Sequence, residues 1–309
     1  MLVKRELILI KAESAYGVAA TLDPATDAVL VEALGIANNA ARMIERPVIK
    51  PTLGKEQSVF GGTLKEVTFT AEIKGSGLAG TAPEIGEALK ACGLLETINP
   101  GTSVTYGPVS EGHLSVTIQL YQDGTLTTLT GCRGNVSFDL TAGAFGKAQF
   151  TLRGHVASHS DAVLPQASYH STVPVPLIGL VNLQVGNFAA EINQLTLDVA
   201  NEVISPASIR AADGFGEIRI ANRDPNGQID PEATLLATKD WESEWKNGTP
   251  SAITTGTVGS VEGNRFALTV PKAVWRDVAQ GEREQVRILT IPFGAHETGG
   301  DDSFSLVFS

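Results

Sequence analysis

The sequence predicts a mainly β fold with short flanking helices, laid out as two tandem β-sandwich or barrel-like domains. Three observations carry this expectation. Alternation with a period of two recurs along the chain, the mark of strands with one face in a core and one in water. A strand, a polar turn and an amphipathic helix follow one another twice, around residues 65–92 and, more fully, around 215–245. The order of elements in the first half also repeats in the second, on spacing rather than on residue identity. The expected division is 1–160 for the first domain, 161–179 for a linker and 180–309 for the second.

Bulk composition agrees with two domains of roughly 150 residues. The 309 residues are 42% hydrophobic, enough for a real core in each half. With 34 acidic against 23 basic residues the net charge is −11, which argues against binding nucleic acid by neutralising phosphates. Cys92 and Cys132 are too few for a disulfide framework and too far apart for a metal motif, so they read as buried thiols in a reducing compartment. The run Leu7-Ile8-Leu9-Ile10 is too short for a signal sequence or a membrane span, and the expectation is a soluble chain made in the cytoplasm.

In chain order, 3–12 is a strand and 16–27, with Asp23-Pro24, a loop. Residues 36–62 are irregular, because Pro47, Pro51, Gly54, Gly61 and Gly62 interrupt apolar residues set among Arg42, Glu45, Arg46, Lys50 and Lys55. So long a stretch without periodicity is functional or disordered. In an assembling protein it would be an arm that orders on a neighbour, with Arg46, Pro47, Lys50, Pro51 and Lys55 as candidate contacts.

Strand 65–74 sets Val67, Phe69, Ala71 and Ile73 on one face and Glu66, Thr68, Thr70 and Glu72 on the other. Helix 83–92 lines up Ile85, Ala88, Leu89 and Cys92 and is closed by Gly93. Asp123-Gly124, the strongest hairpin signal, joins strands 113–121 and 125–131, and strands 135–140 and 147–155 continue the meander. Residues 158–179, with Pro165, Pro174 and Pro176, are the connecting stretch. Beyond it 191–199 and 215–221 are strands. Asp230 then reads as an N-cap and Pro231 as the first helical residue, and Ala233, Leu236, Ala237, Trp241 and Trp245 form a stripe ended by Asn247-Gly248. A hairpin over 251–271 turns at Glu262-Gly263-Asn264, and 287–293 and 303–308 are the last strands.

Chemistry-bearing patterns are weak. Gly75-Ser76-Gly77-Leu78-Ala79-Gly80 spells a dinucleotide fingerprint with Glu96 at the distance of a ribose-binding acid. However, the preceding strand is amphipathic, the helix starts too late to hold a pyrophosphate, and hairpins follow. Asp224, Asn226, Gln228, Asp230 and Glu232 alternate oxygen ligands as in a calcium loop, but position twelve is Leu235 instead of the bidentate glutamate. His155, His159 and His170 read as solvated side chains rather than a metal set. Ser158-His159-Ser160-Asp161 has nucleophile-type residues, but neighbours on an extended segment point apart. The expectation is a protein without enzyme activity, cofactor or metal.

A resemblance adds what these patterns lack. Pro83-Glu84-Ile85-Gly86-Glu87-Ala88-Leu89-Lys90-Ala91-Cys92-Gly93-Leu94, Val104-Thr105-Tyr106-Gly107-Pro108-Val109-Ser110, Ser115-Val116-Thr117-Ile118, Tyr121-Gln122-Asp123-Gly124 and Gly131-Cys132-Arg133-Gly134-Asn135 resemble the major tail tube protein of long-tailed, siphovirus-type bacteriophages. Residues 214–231, with Arg223-Asp224-Pro225, resemble the matching segment of the same family more weakly. The resemblance implies tail-tube-type β-sandwich domains flanked by a helix, whose sheets join between subunits into a barrel around a channel. It implies six domains per ring, hence a homotrimeric, pseudo-hexameric ring for a duplicated chain. It implies a virion location, assembly with tail tip or baseplate, tape measure and tail terminator proteins, no membrane partner, and genomic DNA passing through without specific binding. The amphipathic strands then nominate Glu66, Thr68, Thr70, Glu72, Gln194, Thr196 and Asp198 to line the channel. Two other readings stand beside this one: the tube protein of a contractile or type VI-like particle, and a tandem β-sandwich adhesin or binding module. Only seven Trp and Tyr residues for stacking on sugars argue against the last.

Overall fold

A computed structural model describes residue 2 and residues 4–309. Val3, the expected first residue of the N-terminal strand, and Met1 lie outside the described residues. Among the described residues there are twenty-one strands and two short helices, and every pairing between strands is antiparallel.

The architecture is governed by one sheet of eight strands. Its order is Glu32–Asn39, Leu64–Glu72, Lys147–Asp161, Thr125–Thr141, Ile192–Asp198, Asn226–Pro231, Val286–Ala295 and Ala279–Arg283. The first four come from the first half of the chain and the last four from the second. They are joined where Ser137 to Thr141 pair with Asp198 to Gln194.

Behind this sheet lie two smaller groups. Ala28–Val29, Glu6–Ala12 and Val116–Gln122 lead into the N-terminal part of Thr125–Thr141. On the other side Leu94–Asn99, Ser103–Pro108, Ser305–Phe308, Phe266–Trp275, Ser251–Thr254 and Gln184–Val185 pair in that order, so a hairpin from the first half extends the outer sheet of the second.

The core follows from the alternation. Val67, Phe69 and Ala71 are buried on one strand, Val136, Phe138 and Leu140 on another, Leu195 and Leu197 on a third. All belong to one cluster that also takes in Phe266, Phe293, Leu306 and Phe308, so the two halves share a single apolar interior. Aromatic pairs cross between them: Tyr106 meets Phe308 at 6.0 Å and Phe138 meets Phe304 at 6.4 Å, both edge to face. Cys92 and Cys132 are buried in this interior, and burial pushes both thiols up, which keeps them unreactive.

Several expectations are corrected. The two strands expected at 125–131 and 135–140 are one strand of 17 residues, Thr125–Thr141, with a register shift between Thr130 and Arg133. Gly131, at φ +63°, marks a bulge rather than a break, and the bend lets one strand serve two sheets. The second helix does not begin at Pro231. Residues Asn226–Pro231 are a strand, and the helix is Trp241–Asn247.

Asp230 caps nothing helical; its carboxylate accepts from the Asn193 and Gln194 amides at 2.8 and 2.7 Å and pairs with Arg283 at 2.6 Å. Asp240 is the N-cap, accepting from Ser243 N at 3.0 Å, and Gly248 ends the helix in the left-handed region as its sequence suggests. The strand expected at 215–221 is Arg219–Arg223, with Phe215 and Ile218 buried in a small satellite cluster with Leu64. The first helix, Gly86–Ala91, is shorter than its pattern, yet Ile85, Ala88, Leu89 and Cys92 are all buried as one stripe.

Candidate assembly and channel surface

Directly opposed residues of an antiparallel pair lie on the same face of a sheet. The registers therefore place all seven channel candidates on one face. Glu66, Thr68, Thr70 and Glu72 oppose Arg153, Thr151, Gln149 and Lys147. Asn135, Ser137 and Asp139 carry the same face across the next strand, where Ser137 opposes Asp198, Asp139 opposes Thr196 and Thr141 opposes Gln194. Asn226 and Gln228 continue it. None of the seven is buried, whereas the alternate residues make the core.

The face is knitted by side-chain hydrogen bonds: Asn39 Nδ2 donates to Glu66 at 2.7 Å, Asn135 Nδ2 to Asp198 at 2.7 Å, and Gln194 Nε2 to Asp139 at 3.0 Å. The carboxylates of Glu66, Glu72, Asp139 and Asp198 face only Lys147 and Arg153, so the surface is acidic, as is the whole chain.

The sheet has two lateral edges, Glu32–Asn39 and Ala279–Arg283, and among the described residues neither pairs with a further strand on its outer side. At one end of its strands stand two arms. Between Glu32–Asn39 and Leu64–Glu72 the chain forms the hairpin Met43–Ile44 with Val59–Phe60, closed by residues 45–58. Between Ile192–Asp198 and Asn226–Pro231 it forms Asn201–Ile204 with Arg219–Arg223, closed by residues 205–218.

The sequence shows the first arm as irregular; of the second it shows only the strand expected at 215–221, although Ser205-Pro206 and Asp213-Gly214 punctuate the arm. The candidates Arg46, Pro47, Pro51 and Lys55 are exposed on the first arm, and Lys50 pairs with Glu56 at 2.8 Å. Ile49 and Leu53 at its tip are wholly exposed, at 105% and 107%.

The arms touch at their bases. Arg42 lies 3.9 Å over the Phe215 ring, and a Cβ on Gly62, at φ +111°, would stand 1.9 Å from Asp213 O, so only glycine fits. Arg133 anchors the second arm by donating to Glu217 at 2.9 Å and to Ile218 O at 2.7 Å. This bond and the neighbouring Arg219 hold the Glu217 carboxyl below the usual carboxylate range. A depressed pKa contributes stability above the ordinary carboxylate pKa that is lost as pH falls through the folded value. Glu217→Gln should therefore melt about 2–3 °C below the parent at pH 7, a part-exposed ion pair being worth about 1 kcal/mol or less. Melting curves of the two proteins should converge as the pH is lowered past 4; a gap of equal size at every pH would show that the charge is not involved.

The other motifs are absorbed by packing. Gly75 N donates to Asn264 Oδ1 at 3.0 Å and Gly77 N to Gly263 O at 2.9 Å, so the glycine-rich loop docks on the 263–264 turn of the second half. A Cβ on Gly75 would lie 2.1 Å from Gly263 O, and close approach is what the glycine serves. His155 is held between Asp213 at 2.5 Å and Tyr16 at 3.0 Å, His159 bonds Thr127 at 2.9 Å, and the His170 amide donates to Glu84, so the three histidines are not brought together. Asp224, between two strands, pairs with Arg276, and Asp230, on strand Asn226–Pro231, pairs with Arg283, so the carboxylates are not gathered into a looped cage.

A subunit with an acidic sheet face, two open sheet edges and projecting arms belongs to the class of β-rich structural proteins. The comparison with protein families identifies which: residues 4–295 match the family described as phage tail tube protein, and the chain belongs to that family. It is a structural component of the phage tail that assembles with itself into a tube. No curated protein matches the chain.

Proposed function

We propose that this chain is a duplicated tail tube protein of the siphovirus type, that three copies close into a pseudo-sixfold ring, and that stacked rings form the channel for DNA delivery. The observation that carries this is the internal junction of the eight-stranded sheet. Each half contributes four strands whose spatial order is first, second, fourth, third along the chain. In each, the first connection carries an arm and the second a helix. The last strand of the first quartet, Thr125–Thr141, pairs with the first strand of the second, Ile192–Asp198.

Repeating that junction between chains sets Ala279–Arg283 of one copy beside Glu32–Asn39 of the next. The registers make these two run in opposite directions, as the junction requires. Three copies of eight strands make a closed barrel with no edge left, which removes the aggregation hazard of open strands. On this reading Glu66, Thr68, Thr70, Glu72, Gln194, Thr196 and Asp198 face the lumen, where an acidic wall repels passing DNA. The arms stack one ring on the next, and tail tip, tape measure and terminator proteins meet the two ends of the tube.

Negative-stain electron microscopy of the concentrated protein, with its solution mass, tests this. Hollow tubes or rings of three subunits, about 97 kDa from three times 32.4 kDa, are expected. A compact dimer with no rings at any concentration would favour a binding module instead.

A further inference from the structure

At the end of the sheet opposite the arms lies a recess of about 420 Å³ lined by Leu140, Leu177, Val181, Leu183, Ile192 and Leu195 among others. It sits where the two halves join, between the 142–146 turn, the 177–183 stretch and the start of Ile192–Asp198. Resting on the ring-and-tube reading above, we infer that this recess is the socket for the tip of the first arm, Ile49 and Leu53, of a copy in the adjacent ring.

Exposure, room, reach and charge point to that occupant. The tip is the most exposed apolar feature of an arm whose base alone is anchored, with Ile49 and Leu53 at 105% and 107%. The socket is open and about half apolar in its lining, with Ile178 and Val181 exposed at its mouth and Glu191 and Asn193 among its polar residues. A cavity of about 150 Å³ takes a benzene ring, so the recess has room for two aliphatic side chains.

The tip cannot reach the socket of its own chain. Strand Leu64–Glu72 separates the two ends by eight steps, about 26 Å at roughly 3.3 Å each. Ile49 is tethered only five residues from Ile44, a reach of about 17 Å.

Charge agrees as well. Arg42, Arg46, Lys50 and Lys55 outnumber Glu45 and Glu56 on the arm, against the net charge of −11 of the chain. At the socket end stand Glu72, Asp139 and Glu191, while Lys147 is paired with Glu32 and Arg283 with both Asp230 and Glu232. Among the described residues the first arm and this socket lie at opposite ends of the sheet, which makes a head-to-tail contact that generates an open filament rather than a closed dimer.

The test is a double variant, Leu53→Cys with Val181→Cys, assembled and then oxidised; the native Cys92 and Cys132 are buried and leave the background low. Assembled protein should give a ladder of disulfide-linked chains on non-reducing gels, absent from either single variant, and Ile49→Ser/Leu53→Ser should shorten tubes at least several-fold. Tubes in which the pair stays unlinked, or tubes of parental length from the serine variant, would overturn the socket while leaving the tube intact. Parental protein that forms no ring or tube under any condition would instead remove the ring-and-tube reading, and the socket with it.

Discussion

Deleting Arg46 to Gly54 should leave a folded protein that no longer polymerises. The removed residues are exposed, apart from the half-buried Lys50, and their loss joins Glu45 to Lys55 in a loop of five residues between Ile44 and Val59, a length that hairpins accept readily. Nothing in the core is disturbed, so the melting temperature should stay within about 1–2 °C of the parent. Assembly, by contrast, loses Ile49 and Leu53 together with Arg46 and Lys50. Burying an aliphatic side chain is worth about 1.5–3 kcal/mol, and the loss recurs at every arm of every ring junction. In a ring of three chains the first arm is lost three times per junction, so the deficit is multiplied threefold at each step of the stack. Sedimentation and microscopy of the deletion should show no species longer than one ring, and long tubes from it would dismiss the arm as a stacking element.

What could be read from the sequence was whatever depends on near neighbours. The alternation of Val67, Phe69 and Ala71 with Thr68 and Thr70 is a local consequence of a half-buried strand, and the structure keeps it residue for residue. The two-residue turn at Asp123-Gly124 is equally local: both residues have positive φ, at 34° and 113°, and Gln122 pairs with Thr125. The seven face residues were legible for the same reason, since a period of two assigns a face without naming its partner.

The failures come from partners distant in sequence. Asp230-Pro231-Glu232 has every local mark of a helix start, but Asn193 and Gln194 supply the amides and Arg283 the cation that hold Asp230 in a sheet. Leu235 and Leu236 are consequently left exposed, at 79% and 72%, instead of forming a helical stripe. The join between Thr125–Thr141 and Ile192–Asp198, and the lateral edges it leaves open, are likewise non-local and carry no signature along the chain. The arm shows in the sequence as a loss of periodicity; that its apolar tip and the recess lie at opposite ends of the sheet follows only from the strand registers.

Placing lysines on the sheet face should slow DNA delivery without preventing tube formation. Thr68 is exposed between Gly35 and Thr151, and the half-buried Thr196 lies between Asp139 and Gln228, so Thr68→Lys/Thr196→Lys adds charge outside the core and sets one lysine beside a carboxylate. Such surface changes usually alter stability by about 0.5 kcal/mol or less. In a ring of three chains they add six cations to a face where carboxylates predominate. Duplex DNA carries one charge per roughly 1.7 Å, and each phosphate contact releases counterions, steepening the dependence of binding on salt by about 0.9 per contact. Passage should therefore slow on the order of tenfold or more at low salt, since about 1.4 kcal/mol of added attraction is already a factor of ten, and recover as salt screens the lysines. The glutamine pair Thr68→Gln/Thr196→Gln, similar in bulk and neutral, should leave delivery unchanged. Ejection timed in phage particles carrying each pair separates the outcomes: parental rates with the lysines would place this face on the outside of the tube, and equal slowing by lysine and glutamine would make bulk, not charge, the obstacle.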